Sequence, residues 1–265
     1  MTFSPDWLAL REKADATARA AELLEPLRAV LPDAPLVIHD LGCGTGSMGR
    51  WLAPLLPRPQ RWILHDRDPD LLELAAASIP APAETRAADL AGLTADDLAG
   101  ASLVTGSALL DLLTLEEVDA LAEACTGAGC PALFTLSVVG EVEFTPADPL
   151  DEDFTAAFNA HQRRVTGGRR LLGPDAAEAA TEAFVRRGAV VHSRRSPWWL
   201  GPDELFRQWL RGWVQAACEH QPELVAHAAD YQCRRLRGEF STVAVGHVDL
   251  LAIGGAPCST DSGPG

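Results

Sequence analysis

Val37-Ile38-His39-Asp40-Leu41-Gly42-Cys43-Gly44-Thr45-Gly46 is the stretch on which the reading of this chain turns. A short, mostly apolar run over 36–41 ends in three glycines at alternate positions. Such a run suits a strand buried on both faces of a parallel sheet. The glycines permit positive φ and let a ligand approach the backbone. A helix is expected from about Ser47, its first turn presenting unpaired N–H groups. Pro54 conflicts with that helix, because proline removes a backbone donor and kinks it.

Outward from this turn, strands are expected at 61–66, 85–89, 102–105 and 132–139, and helices at 70–78 and 115–125. This alternation is the signature of an open α/β sheet with right-handed crossovers. Further on, helices are expected at 151–164, 174–187, 202–220 and 222–237, and strands at 189–192 and 243–253. Residues 6–31 read as one helix, with apolar positions near a 3.6 period. Residues 255–265 are turn-forming and read as a disordered tail. The chain is therefore expected to be one domain over 1–254, with helical caps at about 1–31, 140–188 and 201–240.

Asp66 would close the second strand, 24 residues after Gly42. An acid there can accept hydrogen bonds from both ribose hydroxyls of a nucleoside. Asp89 would close the third strand, where it can meet an adenine amino group. Taken alone, Asp66 is an ordinary solvated acid; three motifs in register argue otherwise.

The motifs D-L-G-C-G-T-G (40–46), H-D-R-D-P-D-L-L (65–72) and A-A-D-L (87–90) resemble motif I, the following acid and motif II of class I S-adenosylmethionine-dependent methyltransferases. The resemblance spans about 36–139 and, weakly, the last strand. It implies a Rossmann-like seven-stranded sheet of order 3-2-1-4-5-7-6 with strand 7 antiparallel. It implies that Gly42 and Gly44 line the methionine part of the cofactor, Asp66 the ribose and Asp89 the adenine. Asp40, Cys43, Gly46, Arg67 and Leu90 stand beside them as cofactor-binding candidates. The segment V-T-G-S-A-L-L-D (104–111), with Ser107, matches the position whose backbone meets the cofactor amino group. A second register, Gly44-x-Gly46-x-x-Gly49, fits the dinucleotide fingerprint, with Asp66 20 residues beyond Gly46. Against it, the turn starts earlier, Asp40 would repel a pyrophosphate, and Asp89 has no role in a dehydrogenase. An NAD(P)-dependent oxidoreductase and a non-catalytic protein of the same fold remain the alternatives.

Methyl transfer is an in-line displacement, so the protein supplies orientation and excludes water. A base is needed only where the acceptor carries a proton. Asp111, in the loop after strand 4, and His161, in the lid after strand 5, are the catalytic candidates; helix capping and a structural histidine are their bland counterparts. Arg11, Asp15 and Arg19 fall at i, i+4 and i+8 on one helical face. There Arg19 or Arg11 reaches the cofactor carboxylate, unless the three form a solvated ion-pair ladder. Arg163, Arg164, Arg169 and Arg170 form either an anion-attracting patch or a solvated face. Trp198, Trp199, Trp209 and Trp213 form either an aromatic wall for the acceptor or helix packing.

Composition narrows the classes. The chain has 265 residues, 47% apolar, and a net charge of −15, which argues against nucleic acid. No apolar run approaches a membrane span, and the first residues carry no secretory pattern. Six scattered cysteines, none in C-x-x-C, read as reduced thiols rather than metal ligands. The expectation is a cytoplasmic enzyme that methylates an anionic or aromatic small molecule, using S-adenosylmethionine and no metal.

Overall fold

The computed structural model describes residues 4–56, 59–237 and 241–254. The expected tail at 255–265 lies outside these described residues. In chain order the first half runs α1 (Pro5–Ala18), α2 (Leu24–Val30), β1 (Leu36–Leu41), α3 (Ser47–Leu52), β2 (Gln60–Asp66), α4 (Pro69–Ser78), β3 (Ala83–Ala87) and β4 (Leu103–Ser107). It continues with α5 (Leu115–Gly127), β5 (Ala132–Thr145), α6 (Asp151–Gln162), β6 (Val165–Thr166), β7 (Arg169–Arg170) and α7 (Ala176–Arg186). The last part is β8 (Val190–Arg195), β9 (Trp198–Leu200), α8 (Glu204–His220), α9 (Val225–Arg237) and β10 (Thr242–Ile253).

The main sheet has the order β3-β2-β1-β4-β5-β10-β8, with β10 antiparallel to both neighbours. This is the expected order, β10 taking the place of strand 7 and β8 that of strand 6. β9 is an addition, pairing β10 beyond the end of β8. β1 lies between β2 and β4, parallel to both. One face packs Leu36, Ile38, Trp62, Leu103 and Leu251 against α2, α3 and α4. The other packs Leu41, Val104, Phe134 and Leu250 against α5 and α7. No helix among the described residues is long and apolar enough to cross a membrane.

Two expected helices end early, the second of them at its proline. The helix expected over 6–31 is broken: α1 stops at Ala18, Arg19 is extended at φ −52, ψ 131, and a 3₁₀ turn (Ala21–Leu23) leads into α2. A continuous helix would press the Pro26 ring against the carbonyl of residue 22. In α2, Pro26 sits in the first turn, where its missing N–H is not needed. Likewise α3 ends at Leu52, and a 3₁₀ turn (Ala53–Leu55) takes Pro54 into its first turn.

β5 runs six residues beyond the expected end and pairs with β10 as far as Thr145–Thr242. Its extension carries Phe144 into a third core, between the sheet end and helices α6, α8 and α9. Trp213 stacks on Trp209 with ring centroids 5.5 Å apart, and Phe154 stacks on Tyr231 at 4.4 Å. The buried Arg235 lies over Phe144 at 4.3 Å and pairs with Asp151, which also accepts from the Tyr231 hydroxyl at 2.6 Å. Trp213, 1% exposed, is therefore packing and not an acceptor wall; Trp199, by contrast, is 77% exposed. Trp213→Ala should cost about 3–5 kcal/mol of unfolding free energy. Trp199→Ala should stay within about 0.5 kcal/mol of the parent. Denaturant unfolding of the two variants checks the contrast, and equal losses would contradict it.

Candidate functional site

β1, β2 and β4 all end at one cleft, which encloses about 260 Å³. Its floor is the loop after β1. Gly42, Gly44 and Gly46 have φ of +62, +53 and +85, so all three take the left-handed conformation expected of them. A Cβ on Gly42 would lie 3.1 Å from Leu109, and one on Gly44 3.3 Å from Leu8. Side chains there would fill the cleft from below.

Asp66, at the end of β2, grips this loop. Its Oδ2 accepts the Gly44 N–H at 2.9 Å, and its Oδ1 accepts the Asp68 N–H at 3.0 Å. The Cys43 N–H donates to His65 O at 3.0 Å, adding a second tie between loop and strand. A carboxylate has about four acceptor positions, so each Asp66 oxygen keeps one for a ligand. Arg67, Asp89 and Leu90 continue the wall on this side.

Asp40 is fully buried on β1 and also reaches the wall. Its Oδ1 accepts the Thr105 hydroxyl at 2.8 Å, while Oδ2 meets no protein donor among the described residues. Burial pushes its carboxyl up to about 7, against the pull of the Thr105 bond and of Arg19. A buried carboxylate with one open oxygen is a place for a cation. Beside it, burial holds the Cys43 thiol far above its ordinary value, so Cys43 lines the wall as an unreactive thiol. Behind the cleft, the His39 and His65 rings stack with Nδ1 and Nε2 3.0 Å apart. Burial lowers both to about 4, so both are neutral at pH 7 and one donates to the other.

Arg19 is not itself a wall residue. It is 4% exposed and its Nη2 donates to Ser47 Oγ and Ser107 Oγ, each at 3.1 Å. Ser47 and Ser107 do line the cleft, so Arg19 braces two wall loops from behind. The shared face expected for Arg11, Asp15 and Arg19 holds only for the first two, because the helix ends before Arg19. Arg11 binds Asp15 through Nε at 3.0 Å and lies over the Trp198 ring at 4.9 Å; Arg11 and Asp15 both line the cleft.

The two catalytic candidates fare differently. Asp111 sits in a 3₁₀ turn (Leu110–Leu112) just past β4, half-buried and next in the chain to the wall residue Leu112, but is not itself a wall residue. Its Oδ1 is buried with no protein partner among the described residues. Burial pushes its carboxyl up to about 6, opposed by the charges of Arg11 and Arg164, both wall residues. His161 is not a wall residue. Its Nε2 lies 3.2 Å from Glu219 on α8, so its ring is taken up between the cap helices. The face of α6 that carries His161 is the face α8 covers.

The arginine cluster divides as well. Arg163 pairs with Asp175, whereas Arg164 and Arg169 reach the cleft, Arg169 held by Glu117 on α5. The β6–β7 hairpin that carries Arg169 roofs the cleft with Thr166, a feature the sequence reading missed. Its signal was Gly167-Gly168, both at positive φ, between extended residues. Among the described residues, no group of three or more His, Cys, Asp or Glu is placed to hold a metal ion.

Neither the protein-family models nor the curated proteins match this chain. Solved structures that align with it include mycolic acid cyclopropane synthase CmaA1 complexed with SAH and CTAB. That pair is 14% identical over 86% of this chain and 83% of that one, with a TM-score of 0.47. A SAM-dependent methyltransferase from Geobacter sulfurreducens in complex with S-adenosyl-L-homocysteine is 16% identical over 95% and 99%, TM-score 0.43. The plantazolicin methyltransferase BpumL in complex with SAH is 10% identical over 94% and 88%, TM-score 0.46. Overlaps this loose carry no functional weight, which rests on the cleft. In sheet order, in its reversed β10 and in the places of its glycine loop and strand-end acids, the chain resembles the class I S-adenosylmethionine-dependent methyltransferases.

Proposed function

We propose that this chain is an S-adenosylmethionine-dependent methyltransferase acting on a small-molecule acceptor in the cytoplasm. The observation that carries the reading is how the glycine loop spends its N–H groups. Gly44 gives its N–H to Asp66, and Gly46 gives its own to Cys43 O at 2.9 Å. A pyrophosphate cradle needs such groups free. Beside them stands the open oxygen of Asp40, which repels a diphosphate and attracts a cation.

The residues present fit the cofactor. The three glycines leave room over the loop for the methionine part, and Asp40 offers it a buried carboxyl oxygen that no protein donor meets among the described residues. Asp66 has acceptor positions left for a ribose diol, and Asp89 and Leu90 stand beyond it for the adenine. When bound, the cofactor supplies a methyl group already activated on a cationic sulfur. The work left to the chain is to orient the acceptor, exclude water and take a proton where one must leave.

Two elements suit the exclusion of water: α1, which lays Leu8 and Arg11 on the cleft, and the β6–β7 hairpin, which lays Thr166 there. Leu8, Leu109, Leu112, Leu113 and Leu171 line the cleft, which favours an acceptor with an apolar body. Of the cleft arginines, Arg11 shares its charge with Asp15 and Arg169 with Glu117. The acidic surface disfavours nucleic acid as the acceptor. For Asp111 to be the proton acceptor in this reading it must turn into the cleft past Leu109 and Leu112, since it does not line the cleft itself; a carboxyl at about 6 is then ionised at neutral pH yet basic enough to take a proton.

Asp66→Ala should weaken S-adenosylmethionine binding about tenfold or more, measured by titration calorimetry on folded protein. Unchanged affinity, or binding of NADH in its place, would contradict the assignment. The proton role has its own signature. With an acceptor that loses a proton, the wild-type rate should fall as pH drops below about 6, because protonated Asp111 cannot act as a base. Asp111→Asn should lose about 10²–10⁴ in rate, together with that limb of the profile, at intact cofactor affinity. Near-wild-type turnover by the variant would remove Asp111 from the chemistry.

A further inference from the structure

Asp249, on β10, is a carboxylate that nothing above uses. It is 1% exposed, and it accepts hydrogen bonds from three separate parts of the chain. Oδ2 accepts the Ala20 N–H at 2.8 Å, from the segment after α1. Oδ1 accepts the Leu136 N–H at 2.7 Å, within β5, and the Ser196 hydroxyl at 2.5 Å, between β8 and β9. A buried carboxylate is tolerated only when donors meet it, and here they do.

Two of these donors are chain neighbours of residues behind the cleft wall. Ala20 follows Arg19, and Leu136 follows Thr135. Arg19 Nη2 and Thr135 Oγ1 converge on Ser107 Oγ, at 3.1 Å and 3.0 Å. Arg19 also donates to Ser47 Oγ, at the start of α3. Leu136 is held at φ +57, a conformation that a bulky side chain adopts only where its surroundings impose it. The bond to Asp249 is what fixes its N–H there. Asp249 also acts by charge: with Asp15 and Asp40 it offsets the burial of the Arg19 guanidinium.

We infer that Asp249 is a positioning residue for the cleft. By fixing the backbone at Ala20 and Leu136, it sets where Arg19 and Thr135 meet Ser107, and hence how the start of α3 faces the end of β4. The inference rests on reading the cleft as the cofactor site, since its consequence is cofactor affinity.

The test is calorimetric titration of S-adenosylhomocysteine into wild type, Asp249→Asn, Ala20→Pro and Tyr231→Phe, each with a thermal melt. Asp249→Asn removes the charge and one acceptor. Ala20→Pro keeps Asp249 but puts a ring methylene where the Ala20 N–H meets Oδ2, so that bond is lost and the carboxylate is pushed off the segment. The backbone otherwise suits proline, with φ −72 at Ala20 and ψ 131 at Arg19. Both should raise the dissociation constant about tenfold or more. Tyr231→Phe removes a buried hydroxyl that donates to Asp151 in the third core, with no bond to Asp249, Arg19 or Thr135. It should lower the melting temperature while leaving affinity within about twofold. If Asp249→Asn does not fold, Ala20→Pro decides alone. Wild-type affinity in the positioning variants overturns this inference alone, as does an equal loss in Tyr231→Phe, which would mean general destabilisation. No binding by wild type overturns the cofactor reading and this inference with it.

Discussion

A strand covered on both faces can keep a polar side chain only against a partner or at its open end, and β1 does both. His39 is satisfied by His65 on the neighbouring strand. Asp40 is satisfied on one oxygen by Thr105 and left open on the other, toward the cleft. The burial of β1 between β2 and β4 is also what gives Asp40 its raised proton affinity. The glycine loop then has to leave β1 at positive φ, and Asp66 fixes its course by taking the Gly44 N–H. The site follows from those two facts, since β2 and β4, parallel to β1 on either side, bring Asp66 and Ser107 to the same edge.

The caps serve that edge in unequal ways. α1 reaches the cleft directly and is tied down by polar contacts, Glu12 to Arg50 on α3 and Arg11 over Trp198 on β9. The aromatic helices α6, α8 and α9 mostly bury one another, with the β5 extension as their floor. Their contribution is support. They hold the segment from which the β6–β7 hairpin leaves to cross the cleft, where Arg169 fastens it to Glu117.

Much of this was legible in the sequence because it is local. The apolar run, the alternate glycines and the strand-end acids each act within a few residues, and the order of strands follows from alternation and crossover handedness. What escaped reading was decided by distant partners. An alanine-rich stretch through Ala20 favours helix, yet the chain turns at Arg19, where Asp249, 229 residues away in sequence, receives the Ala20 N–H. The length of β5 depended on pairing with β10, beyond a glycine that seemed to end it. His161 does lie on the helix after strand 5, but the sequence does not say that α8 covers its face of that helix. In the arginine-rich segment the charges drew attention, and the Gly-Gly hairpin turn between them was passed over.

If the cleft at the end of β1 receives S-adenosylmethionine with Asp66 at its ribose, a crystal structure of the protein soaked with S-adenosylhomocysteine shows it most directly. Density for the ligand should run along the glycine loop, with both ribose hydroxyls on the Asp66 carboxylate and the adenine beside Asp89 and Leu90. A cleft without ligand at saturating concentration would contradict it, as would a dinucleotide lying with its pyrophosphate over Gly42 to Gly46.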